Sequence, residues 1–244
     1  EAGGTRPNVD TQSPDVRIHA FLTRDEVTFY LDTSGEALFK RGWRTVAGEA
    51  PLRENLAAGI LRLAGWSAPM PLLDPMCGSG TFLVEAAMMA LDVAPGLNRS
   101  FGFERLANYD NEKWQALRKK ALARRKPAGP LPIHGRDKSG EALALAHENV
   151  AKTGLTAAVQ LKQMDILDGG PPGNSGIIVM NPPYGERVAG KDDLAAFYPR
   201  LGDALKRRHA GWTAYVLSAD PALPRLIGLK ATRRTPLYYG ALEC

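Results

Sequence analysis

Apolar and polar residues alternate with a period of two over residues 16–22 and 26–32, and the polar link Thr23-Arg24-Asp25 between them predicts a β-hairpin. Val16, Ile18, Ala20 and Leu22 share one face of the first strand, and Val27, Phe29 and Leu31 one face of the second. A two-stranded hairpin is marginal alone, so it should belong to something larger or lean on the domain that follows. Residues 1–13 show no period and read as a linker. After the basic stretch Lys40-Arg41-Gly42-Trp43-Arg44, Pro51 opens a helix with Leu52, Leu56, Ile60 and Leu63 near a 3.6-residue period.

From residue 72 onward short apolar runs and amphipathic helices take turns. Strands are expected at 72–74, 131–135, 158–162, 177–180 and 213–217, and helices at 81–91, 140–153 and 193–208. A C-terminal pair at 229–234 and 237–244 would close the sheet. This alternation predicts an α/β fold, a doubly wound, mostly parallel sheet of seven strands. Residues 92–130 break the rhythm with Ala94-Pro95-Gly96, the aromatics Phe101, Phe103 and Tyr109, and a helix at 111–126. Periodicity allows either an insertion or one extra strand–helix unit there.

Composition changes this picture little. Hydrophobic residues make up 44% and charged residues 23% of the 244, which excludes a mostly disordered chain. No apolar run approaches the ~20 residues that span a bilayer, and the chain starts without the basic and apolar segments of a secretory signal. The absent initiator Met suggests a fragment or a trimmed chain. Two cysteines, Cys77 and Cys244, make neither a disulfide framework nor a zinc cluster and suit a reducing, cytoplasmic compartment. The four histidines are scattered, with no metal-ligand spacing. A net charge of +5 leans mildly toward polyanions.

Two stretches carry candidate chemistry. In Leu72-Leu73-Asp74-Pro75-Met76-Cys77-Gly78-Ser79-Gly80-Thr81 an apolar strand ends in an acid and turns through glycines into a helix. Gly78 and Gly80 let a ligand approach the backbone, and the helix start offers free N–H groups. Leu83 stands where a dinucleotide fingerprint wants a third glycine, and the Gly-Lys-Ser/Thr of a phosphate loop is missing. The acid suits a ligand with a cationic amino group, such as S-adenosylmethionine; a plain tight connection is the competing explanation. In Ile177-Ile178-Val179-Met180-Asn181-Pro182-Pro183-Tyr184 the prolines end a buried strand in an extended turn. Asn181 and Tyr184 then sit at the carboxyl edge of the sheet, where open α/β folds bind ligands. The Asn181 oxygen and the Pro182 carbonyl can accept both hydrogens of a planar exocyclic amino group, and Tyr184 can stack on its base. Catalysis would rest on orientation and fixed dipoles.

These stretches, with Glu85-Ala86-Ala87-Met88, Ala94-Pro95-Gly96-Leu97, Gly102-Phe103-Glu104-Arg105 and the run to Arg187, resemble the THUMP-associated RNA guanine-N2 methyltransferases. These are class I, Rossmann-like enzymes that use S-adenosylmethionine. Leu31–Glu36, Arg41-Gly42-Trp43-Arg44 and Pro51-Leu52-Arg53-Glu54-Asn55 are similar to the linker and first helix of the large-subunit ribosomal RNA branch. The resemblance implies that residues 1–50 are a linker and the closing hairpin of a THUMP-type domain, and 51–244 a methyltransferase domain with an insertion at about 92–130. It further implies cofactor contacts at Asp74, Met76, Gly78, Ser79, Gly80, Asp137, Asp165, Ile166 and Asn181, and catalytic roles for Asn181, Pro182 and Tyr184. Spacing alone favours Glu104 as the ribose acid, about 24 residues past Gly80. The family pattern instead gives the ribose to Asp137 and the adenine to Asp165. Lys138-Ser139 departs from relatives that carry another acid after Asp137.

The expected partner is RNA, ribosomal RNA first, and no metal. A tRNA guanine-N2 enzyme is the nearest rival. An Asn-Pro-Pro-Tyr enzyme acting on protein glutamine would carry a helical substrate domain upstream, where this sequence has the hairpin and a basic linker. One acting on DNA adenine would need a base-recognition domain for which 244 residues leave little room, and a non-catalytic assembly factor would not need both motifs intact. The helix at 111–126 sets Trp114, Leu117 and Ala121 on one face and seven basic residues elsewhere. They could track RNA phosphates or simply complement the helix dipole.

Overall fold

The computed structural model describes residues 9–12, 14–44, 52–183, 191–239 and 242–244. The hairpin forms as β1 (Ile18–Thr23) antiparallel to β2 (Glu26–Leu31), with Ile18 opposite Leu31 and Thr23 opposite Glu26. Every residue of both strands is exposed, so the alternation specifies the pairing without burying either face. Helix α1 (Glu54–Leu63) buries Glu54, Ala57, Ile60 and Leu61, whereas Leu63, expected inward, is 43% exposed. The buried stripe runs through Ala57, Ile60, Leu61 and Ala64, at i, i+3, i+4 and i+7, which leaves Leu63 off the covered face.

Five strands form one parallel sheet: β3 (Leu72–Asp74), β4 (Ile133–Asp137), β5 (Gln160–Gln163), β6 (Gly176–Met180) and β7 (Trp212–Val216), in the order β5-β4-β3-β6-β7. Period-two geometry sends neighbouring side chains to opposite faces. Leu72, Ile177 and Val179 join one core, with α1, α2 (Thr81–Ala90) and, beyond the exposed α3 (Asn111–Arg124), α4 (Gly140–Lys152). Leu73, Ile178 and Met180 join the other, under α5 (Lys191–Arg208) and the short α6 (Leu223–Leu226). Helices on both faces explain why the central β6 and Leu72-Leu73 of β3 are apolar without alternation.

Some boundaries differ from expectation. β4 starts at Ile133 because Pro132 has no N–H to donate, and it runs on to Asp137 because β5 pairs with Arg136 and Asp137. A 3₁₀ turn over Thr156–Ala158 delays β5 to Gln160. Residues 229–234 form no strand: 229–236 are exposed throughout and include Lys230, Arg233, Arg234 and Pro236, so no apolar face is available to bury. The C-terminal segment pairs with itself as β8 (Tyr238–Tyr239) and β9 (Leu242–Glu243), extended by mutual bonds between Leu237 and Cys244. Among the described residues the parallel sheet therefore has five strands, not seven.

Residues 91–132 leave the sheet between α2 and β4 and add no strand to it, since β3 and β4 pair directly. Phe101 and Phe103 stack at 5.4 Å, and both meet Trp114 of α3 edge-on, at 5.5 and 4.9 Å. The Arg99 guanidinium donates to the carbonyls of Ser34, Glu36, Ala37 and Lys40, and Phe103 N to Thr33 O at 3.0 Å. The excursion thus grips the segment that follows the hairpin.

Candidate active site

The sheet order places a topological switch at β3. From there the chain adds β4 and β5 on one side, then crosses to add β6 and β7 on the other. In open α/β sheets the crevice at the carboxyl ends of such strands is the ligand site. Asp74 ends β3, Asp137 ends β4, Asp165 lies two residues past β5, and Asn181 directly follows β6. Along this edge the four run Asp165, Asp137, Asp74, Asn181, on strands about 4.8 Å apart.

The turn after β3 is built for close approach. Gly78 and Gly80 have φ of +50° and +80°, in the left-handed region that disfavours side chains, and Gly80 is the N-cap of α2. An added Cβ on Gly78 would meet nothing within 4 Å, whereas one on Gly80 would press on Ala146 of α4 at 3.3 Å. Gly78 is therefore open on the side a ligand would use, and Gly80 is closed against the neighbouring helix. Asp74 is 2% exposed and accepts from Met76 N at 3.2 Å. Burial pushes its carboxyl up to about 8; the Met76 bond opposes the rise and nearby Asp137 adds to it. Burial also raises the Cys77 thiol, helped by Asp74 and Asp137, so it packs as a small apolar group in its thiol form.

Asp137 joins the second strand end to this turn. Its Oδ2 accepts from Gly78 N and its Oδ1 from Ser139 N, both at 2.9 Å. Each carboxylate oxygen keeps a second lone pair. Glu104, the residue that spacing favours, lies in the excursion and accepts from Phe101 N at 2.7 Å, capping its own 3₁₀ turn. Asp165 Oδ1 accepts from Leu167 N at 2.9 Å, and Ile166 is buried in the second core. Met76 packs against that same core.

Across the switch, Leu217 N donates to Met180 O at 3.0 Å and the buried Tyr198 hydroxyl to Pro183 O at 3.2 Å, fixing the turn on both sides of Asn181. Pro182 is buried. The Oδ1 of Asn181 is buried and has no hydrogen-bond partner among the described residues. Leaving such an acceptor unmade costs about 1–3 kcal/mol, so a donor in this place would be rewarded. Tyr184 lies outside the described residues.

Sequence reading missed the supports of this turn. Arg44 donates to Glu54 Oε1 at 2.9 Å, Ser79 Oγ at 3.1 Å, Thr81 Oγ1 at 2.7 Å and Leu52 O at 3.1 Å, with its guanidinium 5.0 Å from the Trp43 ring centroid. Arg41 grips Glu85 of α2 in the same way, at 3.2 and 3.3 Å. Asn149 of α4, fully buried, donates to Ser79 O at 3.0 Å. Glu54 and Glu85 sit among apolar positions of their helices, and a buried acid wants a cation; that was the available signal, but it names no partner.

The chemistry of this edge suits S-adenosylmethionine: a glycine turn open at Gly78, a buried acid beside it, spare lone pairs on Asp137 and an unpartnered acceptor on Asn181. The family described as RMKL-like, methyltransferase domain, matches residues 41–244, and a THUMP domain matches residues 1–32. The ribosomal RNA large subunit methyltransferase K/L of Allochromatium vinosum is 42% identical over 99% of this chain and 34% of its own length. That of Shewanella frigidimarina is 40% identical over 99% of this chain and 35% of its own length. The chain thus spans about a third of the length of these relatives. The structure of SMU.472, a methyltransferase candidate complexed with SAH, superposes with a TM-score of 0.86 at 36% identity, over 95% of this chain and 60% of the other. One from Listeria monocytogenes, described as a predicted N6-adenine-specific DNA methylase, gives 0.81 at 34% identity, over 89% and 57%.

Proposed function

Given that the chain belongs to the RMKL-like methyltransferase family, we propose that it transfers a methyl group from S-adenosylmethionine to the exocyclic N2 amino group of a guanosine in large-subunit ribosomal RNA. The names of the K/L relatives support the ribosomal substrate, the THUMP match supports RNA over DNA, and a ribosomal substrate would put the activity in the cytoplasm. In this reading residues 1–50 are the linker and hairpin of a THUMP-type domain, and 51–244 the methyltransferase domain with its insertion at about 92–130. The THUMP match ends at 32 and the methyltransferase match begins at 41.

The bound cofactor supplies an electrophilic methyl group on a sulfonium. Asp74 receives the cofactor's amino group, the turn through Met76, Gly78, Ser79 and Gly80, open at Gly78, lies along its methionine part, Asp137 accepts the ribose hydroxyls, and Asp165 with Ile166 meets the adenine. Asn181 Oδ1 and the Pro182 carbonyl accept the two hydrogens of the guanine amino group. Those bonds pull the nitrogen lone pair out of the ring and aim it across the switch, and Tyr184 stacks on the base. No strong base is required, because the methylated nitrogen is acidic enough to give its proton to water. The single observation that carries this reading is the buried, unpartnered Oδ1 of Asn181 at the switch beside Asp74. Nucleoside mapping of rRNA and tRNA from a strain lacking the gene tests it. Loss of one N2-methylguanosine from large-subunit rRNA is expected; loss from tRNA alone, or from neither, contradicts it.

A further inference from the structure

Charge is distributed unevenly along the chain. Residues 92–130 hold nine basic residues (Arg99, Arg105, Lys113, Arg118, Lys119, Lys120, Arg124, Arg125 and Lys126) and four acidic ones (Asp92, Glu104, Asp110 and Glu112). That surplus of five equals the net charge of the whole chain, so the remaining residues are neutral in sum. Most of the surplus is displayed on α3 and on Arg125 and Lys126 directly after it. No side chain of α3 is buried; Trp114, Arg118 and Ala121 form its partly covered face, and Lys113, Lys119, Lys120 and Arg124 are exposed.

Internal bonds absorb only part of this charge. Arg124 is paired with Asp92 at 2.7 and 2.9 Å, Lys113 with Asp110 at 2.9 Å, and Arg118 reaches Leu97 O at 3.4 Å. Among the described residues no carboxylate lies within ion-pair distance of Lys119, Lys120 or Lys126. Complementing the helix dipole explains basic residues in the last turn only. Lys119 and Lys120 stand a turn before the end at Arg124, and Lys113 lies near the start. Lys113 and Lys120 follow each other along the outer face at about 10 Å, and Lys120 and Arg124 at about 6 Å, from the helical rise. The helix is also held firmly, through Trp114 against Phe101 and Phe103 and through Arg99 on the carbonyls of 34–40, just after the hairpin of the THUMP match.

We infer that the outer face of α3 is a docking surface for the phosphate backbone of the RNA substrate. It adds non-specific grip beside the hairpin and contacts no base. This inference rests on the RNA reading above, and charge complementarity selects a polyanion as the occupant. Each phosphate neutralised contributes about 0.7–0.9 to the slope of log affinity against log salt, so three contacts contribute about two.

The experiment titrates a fluorescein-labelled large-subunit rRNA transcript with the full chain over a series of KCl concentrations, by anisotropy, alongside methyl transfer to the same RNA. The variant Lys119→Gln/Lys120→Gln/Lys126→Gln is compared with Arg200→Gln/Arg207→Gln/Lys230→Gln, which removes equal charge elsewhere. The α3 variant is expected to bind about tenfold or more weakly at low salt, with a slope smaller by about two, and the control to change much less. Calorimetric binding of S-adenosylhomocysteine should be the same for all three, showing that each is folded. An unchanged slope, or equal losses in both variants, while the parent chain still methylates the RNA, would overturn the docking surface alone. A parent chain that neither binds nor methylates RNA would overturn the RNA reading, and this inference with it.

Discussion

The proposed contact of Asp74 with the cofactor's amino group makes binding depend on pH. Its carboxyl is pushed up to about 8 by burial, so in the free protein it is mostly protonated at neutral pH. A ligand bearing a cationic amino group needs the ionised form, and binding must therefore release a proton. With a pKa near 8 about one carboxyl in ten is ionised at pH 7 and one in a hundred at pH 6, so affinity should rise close to tenfold, about 1.4 kcal/mol, per pH unit. The window is pH 5.5 to 7.5, where an α-amino group with its own pKa near 7.7–8.0 stays largely charged. Titration calorimetry of S-adenosylmethionine in two buffers of different ionisation enthalpy reads both the affinity and the proton released. Asp74→Asn should flatten the profile and meet the wild type at the acid end, where both side chains are neutral. Unfolding gives an independent reading with its own sign. An acid whose folded pKa is raised holds a proton in the native state that the unfolded chain has lost above pH 4. It stabilises fully below that pH, and the contribution fades by up to about 1.4 kcal/mol per unit as pH rises toward 8. The difference between wild type and Asp74→Asn in urea unfolding at pH 5 and pH 7 isolates that slope. Affinity flat across the window with no proton release would refute the assigned contact.

Other outcomes test the rest of the site. Asp137→Ala should weaken cofactor binding by about 1.5–3 kcal/mol, as for a lost charged hydrogen bond, and Glu104→Ala should leave it unchanged; calorimetry giving the reverse order would return the ribose to the excursion. Arg44→Met breaks a largely buried pair and strands Glu54, so it should lower stability by about 3 kcal/mol or more in denaturant unfolding. A loss under about 1 kcal/mol would show that Ser79 and Thr81 keep the turn without it.

The strand–turn–helix after Leu72 was legible because one stretch of sequence carries all of it: an apolar strand, an acid, two glycines and a helix start. The same holds for Asn181-Pro182-Pro183, where the prolines alone forbid a helix. What depends on distant residues was not legible. Glu54 looks like an ordinary first-turn acid until Arg44, ten residues upstream, folds back onto it. Leu63 fits one apolar stripe, but the face that packs is the neighbouring one, through Ala57, Ile60, Leu61 and Ala64. The C-terminal strands were expected from apolar content, but whether they join the main sheet depends on which edge is free, and local pattern carries no such information. The two candidate ribose acids show the same limit. Glu104 has the better spacing and Asp137 the better position, because the 91–132 excursion lengthens the sequence between neighbouring strands without adding one.

The central claim is that the Asn181 acceptor, and with it the Asn-Pro-Pro turn, performs methyl transfer to guanine N2 of RNA. Single-turnover transfer of labelled methyl from S-adenosylmethionine to large-subunit rRNA, with digestion to nucleosides, tests it in wild type and Asn181→Ala together. The wild type should put the label in N2-methylguanosine, and the variant should bind cofactor normally while transferring about 10²-fold more slowly or worse, as for a lost fixed dipole at the reacting group. Near-wild-type transfer by Asn181→Ala, or label in any other nucleoside, would contradict the assignment.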